Sequence, residues 1–152
     1  MKIKLFYIGS RSEGAAREFE ERYVKRIKPF SLCEILPILS SDVKKAQKIS
    51  AAAARSSYTE ALKPRVEGCY SVALNKNGKM LNSAKFSDAL KDHTEIGFFI
   101  GGAYGLEGSF IDSCDLSLSL SLLTFPHELS RIILLEQIYR AKTIERGLPY
   151  HK

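Results

Sequence analysis

Three times between Ile3 and Ile100 a short run of strand-forming residues gives way to a helical pattern, and a fourth apolar run closes the series. Ile3 to Ile8 ends at Gly9-Ser10. From Glu13 to Lys28, Ala15, Ala16, Phe19, Tyr23, Val24 and Ile27 then recur at three- and four-residue spacing until Pro29 stops them. Leu32 to Leu39 reads as a second strand, and Pro37 within it places that strand at an edge or a strand end. Ser41 or Asp42 can cap a long helix through Leu62, which Pro64 closes. Gly68 to Leu74 is a third strand, Asn75 to Lys79 a turn by composition, and Ser83 to His93 a short amphipathic helix. Ile96 to Ile100 has the character of a buried parallel strand. Strands separated by helices need crossover connections, so the expectation is an α/β fold, a parallel-type sheet flanked by helices.

The last third departs from this rhythm. Asp115 to Leu122 alternates apolar and hydroxyl residues, as an extended segment with one buried and one polar face would. A final helix from about Glu128 to Arg146 carries Leu129, Ile132, Ile133, Leu134, Leu135, Ile138, Ala141 and Ile144 on more than one side. One sheet face cannot cover all of these, so the extra cover is expected from a second subunit.

The 152 residues, 45% of them hydrophobic, suit one domain over 1–152. A net charge of +6 favours an acidic partner such as RNA. Cys33, Cys69 and Cys114 are odd in number and far apart, so neither a disulfide framework nor a zinc site is expected; no metal is called for. No segment approaches the ~20 apolar residues of a membrane span, and the expected location is cytoplasmic. Lys25-Arg26-x-Lys28 and Lys44-Lys45-x-x-Lys48 read as solvated helix faces.

Phe99-Ile100-Gly101-Gly102-Ala103-Tyr104-Gly105 brings bare backbone out of a strand. Two readings stay open, a tight turn with positive φ angles or close approach of a ligand. The glycines follow the wrong strand, in the wrong spacing, for a dinucleotide fingerprint, and there is no Gly-Lys-Ser/Thr phosphate loop.

Phe99-Ile100-Gly101-Gly102-x-x-Gly105-Leu106 leads on to the Leu/Ser run into Leu123-Thr124-Phe125-Pro126-His127, then Arg131, Glu136-Gln137-x-Tyr139-Arg140-Ala141 and the ending Pro149-Tyr150-His151-Lys152. Together these motifs resemble the bacterial large-subunit ribosomal RNA pseudouridine N3-methyltransferases, small members of the SPOUT group. The resemblance spans the chain, strongest from Phe99 onward and weakest between Pro29 and Glu67. It implies a homodimer with a carboxyl-terminal trefoil knot, S-adenosyl-L-methionine as methyl donor, and large-subunit rRNA within the ribosome as partner. Carried over by motif, Leu74, Gly101 and the segment Leu120, Ser121, Leu122, Leu123, Thr124 and Phe125 would hold the donor. His127, Arg140, Tyr150 and His151 would face the RNA: Arg140 on phosphate or developing anion, the histidines in orientation or proton transfer, Tyr150 on a base. Each also has a plainer role, His127 at a helix start, Arg140 in an i,i+4 pair with Glu136, and Tyr150 and His151 in a frayed terminus. The rival function is a non-catalytic ribosome- or RNA-binding protein of the same fold.

Overall fold

The computed structural model describes every residue from Met1 to Lys152. Strands β1 (Lys2–Ile8), β2 (Leu32–Ile38), β3 (Tyr70–Met80), β4 (Glu95–Ile100) and β5 (Leu116–Ser119) form one parallel sheet in the order β2-β1-β4-β3-β5. Six helices accompany it: α1 (Gly14–Ile27), α2 (Ser41–Gln47), α3 (Ala51–Leu62), α4 (Ser83–Leu90), α5 (Gly108–Asp112) and α6 (His127–Glu145). β2 lies at an edge, where the missing N–H of Pro37 is tolerated.

The strand period of two divides the apolar residues between two cores. Ile3, Leu5 and Tyr7 of β1 join Ile27, Phe86, Leu90, Leu134, Leu135 and Ile138 under α1, α4 and α6. Phe6 and Ile8 of the same strand join Phe99, Val43, Ala54, Tyr58, Leu62 and Phe110 under α2, α3 and α5. Phe6 stacks on Phe99 at 5.3 Å between centroids, and Phe110 meets Phe99 edge-on at 5.5 Å. Both faces of the sheet are thus covered, as an all-parallel sheet requires.

The structure departs from the sequence reading at several points. The cap expected at Ser41 or Asp42 is Ser40, whose Oγ accepts from the Val43 N–H at 3.3 Å. The single long helix expected over residues 41–62 is two helices. Ser50, in extended backbone, turns its hydroxyl back to accept from the Ala53 N–H at 3.0 Å, starting α3 afresh. Ser50→Ala is therefore expected to cost about 1 kcal/mol and to lower Tm by about 2–4 °C in a calorimetric scan. The expected turn at Asn75 to Lys79 belongs instead to β3: Leu118 of β5 pairs with both Leu74 and Lys79, so residues 75–78 bulge around the end of β5. A Cβ on Gly78 would stand 2.7 Å from the Leu118 backbone, and only glycine permits the crossing. The extended segment read through Leu122 pairs only from Leu116 to Ser119, after which the chain bends away.

α6 buries Leu134, Leu135, Ile138 and Ala141 completely, while Ile132 and Ile133 are half-covered and Leu129 is 43% exposed. Phe19 of α1, the helix packed beside it, is also 43% exposed. A buried ion pair fixes these helices together: Arg131 Nε donates to Glu20 at 2.7 Å and its Nη2 to Ser12 Oγ at 2.8 Å, with the guanidinium 4.1 Å over the Tyr7 ring. Desolvating both charges offsets much of their attraction, so the pair fixes geometry more than it adds stability.

Candidate functional site

Two loops leave the carboxyl ends of β4 and β5 and, with the bulged middle of β3, face one cavity of about 820 Å³. Leu74 and Asn75 form one wall, Gly101 to Leu106 a second, and Leu118 to Ser121 with Leu123, Thr124 and Phe125 a third. The carboxyl end of a parallel sheet is where open α/β folds place their ligands, because the βα loops converge there.

The glycine turn is built for close approach rather than unusual dihedrals. Gly101 and Gly102 have no positive φ; of the three glycines only Gly105 does, at +74°. A Cβ on Gly101 would come within 2.7 Å of the Gly105 carbonyl carbon, and one on Gly102 within 2.6 Å of the Tyr58 hydroxyl. The Gly105 N–H donates to the Gly102 carbonyl at 3.0 Å and closes the turn. Glu107 follows as the residue before α5 and accepts from Thr59 Oγ1 at 2.5 Å, which anchors the loop to α3.

Of the residues singled out for the donor, Leu74, Gly101, Leu120, Ser121, Leu123, Thr124 and Phe125 line this cavity. Leu122 does not. The Leu123 N–H donates to Ser121 Oγ at 3.0 Å, a tight local turn that leaves Leu122 85% exposed at its tip. Asn75, Lys76, Asn77 and Arg55 also face the cavity and were not singled out. The polar run after Leu74 was the available signal for the first three, whereas nothing in the sequence marks Arg55 as near.

His127, the first residue of α6, stands at the cavity, while Arg140, Tyr150 and His151 do not line it. At 1.5 Å per residue, Arg140 lies about 20 Å along the helix from His127. There Glu136 gathers the others. Its Oε1 accepts from Arg140 Nη2 at 2.6 Å and from the Tyr150 hydroxyl at 3.1 Å. Arg140 sits 4.7 Å over the Tyr150 ring, Tyr150 meets Tyr139 edge-on at 4.8 Å, and His151 Nδ1 is 3.4 Å from Arg140 Nη1. Arg140 is thus in the helix ion pair its spacing allowed, and that pair also holds the tail against the helix.

Desolvation by the surrounding walls pushes the His127 pKa below 6.5, and the positive charge of Arg131 one turn along pushes it the same way. The folded protein thereby favours neutral imidazole. The associated stabilisation is present above pH 6.5 and is lost as pH falls from there through the lower folded value. Hydrogen-bonding and ionic contacts of Glu136 raise the pKa of Arg140, and burial followed by Glu136 raises that of Tyr150, so both stay protonated at neutral pH.

A parallel sheet covered by helices on both faces, with loops at the carboxyl ends of its strands closing on one cavity, defines an α/β protein with a ligand cleft. Residues 1–151 match the family described as "Predicted SPOUT methyltransferase", and the chain belongs to that family. It is 40% identical over 152 residues to a Nitratiruptor sp. protein named ribosomal RNA large subunit methyltransferase H, covering 99% of each chain. The protein of the same name from Wolinella succinogenes is 41% identical over 154 residues, with both chains fully covered. Among solved structures, a candidate RNA methyltransferase from Bacillus anthracis superposes with a TM-score of 0.56 at 14% identity, with full coverage of both chains, a likeness of fold. No helix is long and apolar enough to cross a membrane.

Proposed function

We propose that this chain is a cytoplasmic, homodimeric methyltransferase that uses S-adenosyl-L-methionine to methylate N3 of a pseudouridine in large-subunit rRNA of the assembled ribosome. The observation that carries the reading is the convergence of Leu74, Gly101 and the 120–125 loop on one cavity, in a chain whose full-length relatives bear the name of an rRNA methyltransferase. The cavity suits the donor. Leu74, Leu118, Leu120 and Phe125 offer apolar surface for an adenine, and the side-chain-free turn at Gly101-Gly102 lets a ligand reach backbone N–H and C=O groups. When bound, the donor supplies an electrophilic methyl on a sulfonium, a good leaving group, so the protein has only to align, deprotonate and stabilise.

In this reading neutral His127 is positioned to take or hold the imide proton, Arg140 to hold phosphate or the anion that develops on the carbonyl oxygens, and His151 to orient the target. Tyr150 offers a ring for stacking. The separation of His127 from the Arg140 cluster along α6 is bridged by a second chain, whose cluster completes the site. The uncovered Leu129, Ile132, Ile133 and Phe19 are the surface for that pairing. In this reading the carboxyl-terminal part of the sheet is tied in a trefoil knot, which membership of the family supports.

The test is incubation of the purified protein and labelled donor with assembled ribosomes and with naked rRNA, followed by mapping of the modified base. One methyl on N3 of a pseudouridine, on the assembled particle, is the expected result. No transfer, and no thermal shift with S-adenosylmethionine or its demethylated product, would leave a non-catalytic protein. The rate should be level above pH 6.5 and fall only below it, because protonation of His127 is resisted; a midpoint above 6.5 would remove His127 as proton acceptor.

A further inference from the structure

At the opposite edge of the sheet from the donor cavity, α1 and edge strand β2 enclose a second cleft of about 590 Å³. Its floor is apolar, formed by Val24, Leu32, Ile35 and Pro37, and Leu32 is 54% exposed there. Four cations stand in its walls, Arg11, Arg17, Lys25 and Lys28, beside two carboxylates, Glu20 and Glu21. Both carboxylates are already committed: Glu20 accepts from buried Arg131 at 2.7 Å, and Glu21 from Arg17 at 2.7 Å. Arg11, Lys25 and Lys28 have no ion-pair partner, so the cleft presents three uncompensated positive charges above a greasy floor.

We infer that this cleft is an RNA-docking site that receives an unstacked nucleotide of the rRNA, its base on the Val24-Leu32-Ile35-Pro37 floor and its flanking phosphates on Arg11, Lys25 and Lys28. An acidic protein surface would satisfy the cations but leave the floor wet, and a lipid or apolar ligand would leave the cations unpaired. A nucleotide satisfies both, and single-stranded RNA is read by burying splayed bases while cations follow the backbone. The inference rests on the rRNA reading above and adds to it a contact remote from the methyl donor. It gives the protein a second point of attachment, which fixes the orientation of a large substrate that one cavity alone would leave free to rotate.

The experiment compares wild type with Lys25→Glu/Lys28→Glu and with the milder Lys25→Gln/Lys28→Gln, both full-length. It measures melting temperature, thermal shift by S-adenosylhomocysteine, anisotropy of a fluorescein-labelled single-stranded oligouridylate across salt, and kcat and KM on ribosomes. Expected for the charge reversal are an affinity loss of about tenfold or more near ~0.1 M salt, a salt slope shallower by about two, and a matching rise in KM with kcat and donor shift unchanged. The glutamine variant should show the same slope change with a smaller loss. If wild type methylates ribosomes and the variants do so with unchanged KM and salt slope, the cleft assignment is overturned and the functional reading stands. If wild type neither binds the oligonucleotide nor methylates ribosomes, the functional reading itself fails. A poly-glutamate peptide that competes as well as RNA would replace the nucleotide with an acidic protein partner.

Discussion

Gly101→Ala is expected to abolish methyl transfer by distorting the turn that, on the proposed function, seats the donor. The added Cβ would meet the Gly105 carbonyl carbon at 2.7 Å, its oxygen at 3.0 Å and the Leu106 nitrogen at 3.0 Å. All three are backbone atoms of the turn itself, which cannot yield as a flexible side chain would. Relief requires opening the turn closed by the Gly105 N–H and the Gly102 carbonyl, and that moves the wall of the cavity. A displacement of ~1 Å in a site built for close approach costs on the order of 100-fold. Donor affinity should therefore fall at least ~100-fold, about 2.7 kcal/mol, and transfer at subsaturating donor by ~1000-fold as the turn also loses its aim. The check is calorimetric titration with S-adenosylhomocysteine alongside circular dichroism. Native helix content with donor binding lost is the expected pair, and a variant that binds like wild type would remove the glycine turn from the site.

That the glycine turn and the 120–125 loop belong together was legible from the resemblance of their motifs in fixed order, because the glycines alone fit a tight turn as well as a ligand contact. The parallel sheet was legible for a related reason: Ile96 to Ile100 has no polar face, and a strand without one must be covered on both sides. What the sequence concealed depends on contacts distant along the chain. Ser50 looks like any serine in an Ala-rich helix until the backbone at Lys48-Ile49 turns and makes it a cap. The run Asn75 to Gly78 has turn composition, yet Leu118 draws it into the sheet from both sides, a pairing set by residues 40 positions later. Glu20 sits among the charges of an exposed helix. Only the fold brings Arg131, 111 residues on, to bury it. His93, at the end of a charged helix in the sequence, stacks on Tyr70 at 3.8 Å for the same reason.

Phe19→Glu/Leu129→Glu is expected to yield a folded monomer that binds the donor and does not methylate RNA. Both side chains are 43% exposed in the single chain, so a glutamate at either keeps its hydration and costs the monomer little. In a dimer formed through α1 and α6 the same carboxylates would be buried without partners, at a cost of several kcal/mol for the pair. A loss of about 4 kcal/mol weakens association ~1000-fold and leaves monomer at micromolar protein, which sedimentation velocity would show. Donor binding survives because Leu74, Gly101 and the 120–125 loop come from one chain. Transfer does not survive, because one chain keeps Arg140 about 20 Å along α6 from His127. Addition of a second inactive variant, Arg140→Ala with a wild-type interface, separates the two ideas. Mixed with His127→Ala, it should regain part of the activity through heterodimers carrying one intact composite site, since each partner supplies the group the other lacks. A monomeric charge variant with full activity, or no regain in the mixture, would place both halves of the chemistry within a single chain.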